Sequence, residues 1–211
     1  MNNSGLYTRG VTQTSEKEVQ LATAPWMIAR GVLGVIFAIV AAFVPREQLG
    51  SIAQLALRVD FVDYLLMGYI GLNALLLVGQ GSSTKLLRTQ LWGQAVIAIP
   101  ALIFLMFASY PGQLRAAVLA WALLHAALEV WMYKDMRGTA SASDYLYSGI
   151  AHGLLGVILI FGDNFGALTI IGFTSAATLI AGVLYVLGGL TRRKLAPVSY
   201  THLTLPTTPY G

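Results

Sequence analysis

The sequence predicts an all-α membrane protein of six transmembrane helices, built as three repeated helical hairpins with both termini in the cytoplasm. Three observations carry that reading. Hydrophobic residues make up 56% of the 211 and charged residues 10%, with a mean hydropathy of +0.70, whereas a soluble domain carries about 25% charged residues. The apolar residues gather into six runs separated by short breaks, several of them shorter than the ~20 residues a straight bilayer span needs, so that tilt or flanking aromatics make up the difference. Finally, Arg30-Gly31-Val32-Leu33-Gly34-Val35-Ile36 returns almost unchanged as His152-Gly153-Leu154-Leu155-Gly156-Val157-Ile158, and each copy opens a hairpin.

Residues 1–25 are polar and hold no apolar run, so they read as an unstructured cytoplasmic tail. A helical turn is expected over Ser15-Glu16-Lys17-Glu18, where the serine can cap it. The first apolar stretch begins too late and runs too long to be a secretory signal. The transmembrane region, 26–190, divides into Trp26–Val44, Val62–Val78, Leu91–Phe107, Ala116–Tyr133, Ser148–Phe161 and Ala167–Leu190. Continuous apolarity without period-two alternation favours helices over strands. The fifth run is short and reaches helical length when extended back to Tyr145. Pro45, Gly79-Gln80-Gly81-Ser82-Ser83, Tyr110-Pro111-Gly112, Arg137-Gly138 and Gly162-Asp163-Asn164 supply the turns. Trp26 to Pro45 and Trp92 to Pro111 have the same spacing, which marks the middle pair as a more diverged third copy.

A basic cytoplasmic end, 191–197, follows. Val198 to Thr207 then reads as the translation of a common transposase-based sequencing adapter, so 198–211 is expected to be a read-through artefact and His202 to carry no function. Deleting 198–211 should leave expression and melting temperature unchanged. A loss of folding on deletion would make the tail part of the protein.

Charge sets the orientation. Arg9, Lys17, Lys85, Arg88, Lys134, Arg137, Arg192, Arg193 and Lys194 fall on one side of the spans, against Arg46, Arg58 and Arg115 on the other. The positive-inside rule places the first side, and with it both termini, in the cytoplasm. Trp26, Trp92, Trp131 and Tyr133 mark that same face as an aromatic belt. The net charge of +4 and pI near 9.4 are therefore a topology signal and not a nucleic-acid surface. The expected partners are the lipid bilayer and, within it, a second copy or another membrane protein. With no cysteine, thiol and thiolate-metal chemistry are excluded.

Ionisable groups within apolar spans are the functional candidates, since each costs roughly 2.5–3.5 kcal/mol at mid-membrane. Arg30, His125, Glu129 and His152 qualify. His125 and Glu129 share a helix face, and all four fall in the cytoplasmic half of the bundle. Glu129 is expected to pair with Arg30 or His152, with His125 one turn deeper. An alternative stays open, in which Arg30 snorkels to the headgroups, Glu129 pairs with Lys134 or Arg30, and each histidine satisfies a backbone carbonyl. Asp63, at the outer end of the second span, is expected to stay hydrated. No close-spaced metal-ligand motif, Walker loop, HExxH, GxSxG or Rossmann fingerprint occurs, so no catalytic residue, cofactor or metal is expected.

Glycines recur three apart at Gly31 and Gly34, Gly68 and Gly71, and Gly153 and Gly156. They read as packing seams, because small residues let membrane helices approach closely. Asn73 reads as interhelical glue, and Pro100 as a kink in the third span.

At Trp26-Met-Ile-Ala-Arg30-Gly31-Val-Leu-Gly34-Val-Ile-Phe37 through Pro45, the chain resembles the HdeD-like family of bacterial acid-resistance membrane proteins. The fifth span keeps the glycines but has His152 for arginine and Ala167 where a proline would fall. The middle pair keeps Trp92 and Pro111 without the Arg-Gly. The resemblance implies six inner-membrane helices and a non-enzymatic role in acid or envelope stress tolerance. The competing reading is a small proton-linked transporter or channel that uses the Arg30, His125, Glu129 and His152 cluster. A transporter needs those groups around one water-accessible cavity, and a scaffold needs them capped.

Overall fold

The computed structural model describes residues 4–48 and 55–194, with side chains placed over 18–46 and 57–194. The elements are α1 (Ser4–Phe43), β1 (Glu47–Gln48), β2 (Leu55–Ala56), α2 (Val59–Ser83), α3 (Arg88–Met106), α4 (Pro111–Asp135), α5 (Ala142–Ile160) and α6 (Ala167–Lys194). All six helices are long and apolar enough to cross a membrane. The strands are a two-residue antiparallel ladder, Glu47 opposite Ala56 and Gln48 opposite Leu55, which pins the connection between α1 and α2.

Element boundaries moved outward from the apolar runs. Helix α1 extends back to Ser4 through Pro25, so the expected unstructured tail is helical there and 25/26 is not a structural break. A proline inside a helix removes one backbone hydrogen bond, and the Thr23 hydroxyl nearby is itself bonded back to the carbonyls of Val19 and Gln20. Helix α5 starts at Ala142 and not at Ser148, which resolves the short fifth run. Six residues that are only moderately apolar are carried by the inward positions Ala142, Tyr145 and Ser148. Gly138, the one described non-helical turn residue with a left-handed backbone (φ 86°), lets the chain reverse between α4 and α5.

The helices form a closed ring in which each packs on its neighbours in sequence and α6 returns to α1. The broadest contacts are α1 with α6, α4 with α5, and α2 with α3. These join successive hairpins to one another, and contacts within the hairpins are narrower. The α1–α6 seam explains its own breadth. Cβ atoms added at Gly31 and Gly34 would stand 2.5 Å from the Gly182 carbonyl oxygen and 2.7 Å from that of Thr178. Only glycine allows backbones so near. A Cβ at Gly156 of α5 would instead meet the Leu123 side chain of α4, while one at Gly153 would make an ordinary contact with Ala126. Gly68 and Gly71 correct the sequence reading. Nothing lies within 4 Å of a Cβ at either position, because both sit on the outer side of α2.

The outer surface is apolar, unlike that of a soluble protein, and the interior holds ionisable and amide side chains among its apolar ones. Ile36, Phe43, Leu75, Val96 and Phe104 are exposed, whereas Arg30, Gln80, Gln94, His125, Glu129 and His152 are buried. Lipid offers no hydrophobic drive for helices to associate, so outward apolar and inward polar side chains is the pattern a bilayer favours. The interior holds two apolar clusters. One lies toward the end bearing the strand ladder, with Phe37, Leu66, Leu114, Trp121 and Leu159. The other lies toward the end bearing Glu18 and Lys194, with Met27, Leu91, Met132, Tyr145 and Tyr185. At the latter end Trp26 donates to Ser83 (2.9 Å) and Trp92 reaches the Val78 carbonyl (3.4 Å), which puts these two tryptophans on the common face the sequence predicted. Between the two clusters sit the ionisable groups.

Candidate functional site

Helical periodicity delivers the site. Along α4, Leu114, Val118, Trp121, His125, Glu129 and Met132 fall on one buried stripe, and along α5 Tyr145, Ser148, His152, Leu155 and Leu159 do the same. Arg30 faces inward from α1, Asn73 and Gln80 from α2, and Tyr185 from α6. Five helices thus aim polar side chains at one place.

Glu129, fully buried, is the centre. Its Oε1 accepts from the Tyr185 hydroxyl at 2.5 Å and from the Ser148 hydroxyl at 2.7 Å. His125 Nε2 stands 3.5 Å and Arg30 Nη2 3.8 Å from that same oxygen. Its Oε2 faces His152 Nδ1 at 3.1 Å. The four candidates named from sequence therefore meet around one carboxylate. Arg30 does not snorkel: it is 4% exposed. Its Nε donates to Asn73 Oδ1 (3.2 Å), its Nη1 to Gln80 Oε1 (3.1 Å), and its guanidinium lies over the Tyr185 ring at 4.8 Å. Lys134, the other partner considered for Glu129, is exposed and takes no part.

A buried arginine and glutamate lose hydration that their mutual attraction rarely restores in full. Here neutral groups make up the difference. Two amide oxygens, two hydroxyls and an aromatic face surround the pair, so neither charge depends on a single partner. His152 Nδ1 is also 3.0 Å from the Ser148 carbonyl oxygen. A proton on Nδ1 serves either acceptor, and Nε2 is then left with a lone pair. That Nε2, and both ring nitrogens of His125, are buried without a hydrogen-bond partner.

The site is closed on both sides. Toward the strand-ladder end, Trp121 lies against His125 (5.1 Å between centroids) and edge-on to His152 (5.5 Å), Tyr69 meets Trp121 edge-on, and Phe37 stacks on Tyr69. Toward the other end, Gln80 donates to the Tyr145 hydroxyl (3.3 Å), which in turn contacts the Met27 sulfur (3.8 Å). Beyond Met27 a further ion pair, Arg192 with Asp144, ties the end of α6 to the start of α5. The space left inside is a cavity of about 10 Å³ bordered by Arg30, Tyr69, Asn73, His125, His152 and Tyr185, room for about one water molecule.

Asn73 behaves as the interhelical bond expected of it. Gln80 was legible only as part of a turn, and Tyr145, Ser148 and Tyr185 carried no signal, since neutral polar residues in apolar runs are common. The inward stripe through His125 and Glu129, continued onto the next span at four-residue steps from His152, would have found Ser148. Asp63 departs from expectation: it is buried, and its Oδ1 has no hydrogen-bond partner.

No protein-family profile, curated protein or solved structure matches this chain.

Proposed function

We propose that the chain is a non-enzymatic, six-span protein of the bacterial inner membrane, of HdeD-like type, acting in acid or envelope stress tolerance, with both termini cytoplasmic. The polar hub around Glu129 serves this role as an internal lock that fixes the ring of helices. One observation carries the choice over transport: the charged groups are buried and leave between them a cavity of only about 10 Å³. A permeation route needs hydrated space that continues toward both faces, and the Phe37–Tyr69–Trp121 stack fills the route toward one of them. Enzymatic chemistry on lipid or solute needs the same access.

The stress role rests on the resemblance at Trp26 to Pro45, and the lock rests on geometry. Liposomes carrying the full chain should show no proton or small-cation flux above empty liposomes between about pH 5 and 7.5. Flux that disappears in Glu129→Gln would replace this reading with the proton-linked channel.

A further inference from the structure

We propose that His125, Glu129 and His152 form a site for one divalent transition-metal ion of the nitrogen- and oxygen-preferring class, zinc(II) or its neighbours in the first row. This goes beyond the lock, and it does not depend on the absence of transport. One ligand atom from each residue lies within 4.8 Å of the other two, and all three side chains are buried. Ligands on a tetrahedral ion at about 2.0–2.1 Å stand roughly 3.4 Å apart. His125 Nε2 and Glu129 Oε1 are already at 3.5 Å, and a pair at the 4.8 Å limit would need to close by about 1.4 Å.

Two histidines and a carboxylate are a zinc-type ligand set, and no cysteine is present to favour a softer ion. The arrangement of protons fits as well. A metal-binding imidazole commonly donates its remaining N–H to a carboxylate or a backbone carbonyl, and His152 Nδ1 has the Ser148 carbonyl oxygen within reach at 3.0 Å. Its Nε2 is a buried nitrogen without a hydrogen-bond partner beside the cavity, as are both ring nitrogens of His125. A buried polar atom without a partner is costly, and an ion accounts for these together.

Arg30 is the opposing charge, and its placement limits the conflict. Its Nε and Nη1 donate to the Asn73 and Gln80 oxygens, and its Nη2 stays 3.8 Å from Glu129. The Tyr185 and Ser148 hydroxyls compete for Glu129 Oε1, so the ion must displace at least one of these hydrogen bonds.

The chain has three histidines. Full-length protein carrying His202→Gln, purified in detergent without a polyhistidine tag, therefore leaves only His125 and His152 as imidazole donors. Equilibrated in detergent with copper(II) as the probe ion, under mild warming that opens the bundle enough to admit an ion the sealed hub otherwise excludes, it should bind one ion per chain, and electron paramagnetic resonance should show coupling to two imidazole nitrogens. His125→Gln added to that background should lose this signal. Substoichiometric binding, or a bound ion coupled to one imidazole nitrogen or none, would overturn the site even if the His125 variant fails to fold.

Discussion

Glu129→Ala should lower the melting temperature of the detergent-solubilised protein by roughly 10 °C. The substitution strips the acceptor from Tyr185 and Ser148 and the counter-charge from Arg30, all of them buried. Breaking a buried ion pair from one side costs about 3–5 kcal/mol, and a chain of this size moves ~2–4 °C per kcal/mol. Removing both charges has a different outcome. Arg30→Met combined with Glu129→Met leaves no unpaired ion, so the double variant should melt above Glu129→Ala despite carrying more substitutions. Thermal denaturation of the three proteins under one set of conditions checks this. A double variant that melts lower than Glu129→Ala would mean that the ion pair is not what holds the hub.

The second large effect lies in the α1–α6 seam. Gly34→Ala and Gly182→Ala each force a methyl to within 2.7 Å of a backbone carbonyl oxygen on the facing helix, Thr178 in one case and Gly31 in the other. A backbone atom cannot rotate away, so each should cost about 1–3 kcal/mol as the helices separate. Gly68→Ala and Gly71→Ala meet open space on α2. They should leave stability unchanged or raise it by about 0.4–1 kcal/mol, because alanine restricts the unfolded chain more than glycine does. Side-by-side melting curves of the four variants distinguish a seam from a lipid-facing surface. Equal destabilisation by all four would show that α2 packs against something through Gly68 and Gly71.

That contrast also marks what a one-dimensional reading can hold. Glycines three apart identify a helix face able to approach another closely, but they do not say whether a helix stands opposite. Gly31 and Gly34 meet Gly182, far along the chain, and Gly68 and Gly71 meet nothing. The ionisable residues were easier to find, because a charge inside an apolar run has few places to go. The i,i+4 spacing of His125 and Glu129, with Arg30 and His152 at matching depth, was enough to bring the four together. Their neutral partners were hidden. Tyr185 and Ser148 make the two shortest bonds to Glu129, yet neither stands out among the tyrosines and serines of the chain. Six helices were legible from apolar runs alone, while their ends were not. The first turns of α5 and the extension of α1 to Ser4 are too polar to register as membrane-spanning.

The central claim is that the hub is sealed from water, and thiol labelling in membranes tests it most directly. Because the chain has no cysteine, single substitutions report one position each. Ser148 is fully buried and bonded to Glu129, whereas Lys134 and Asp163 are exposed at opposite ends of the bundle. With a small water-soluble methanethiosulfonate reagent, Lys134→Cys and Asp163→Cys should each be modified from one face, and Ser148→Cys from neither. Modification of Ser148→Cys at a rate comparable to either control would contradict the sealed lock and open the hub to one side of the membrane.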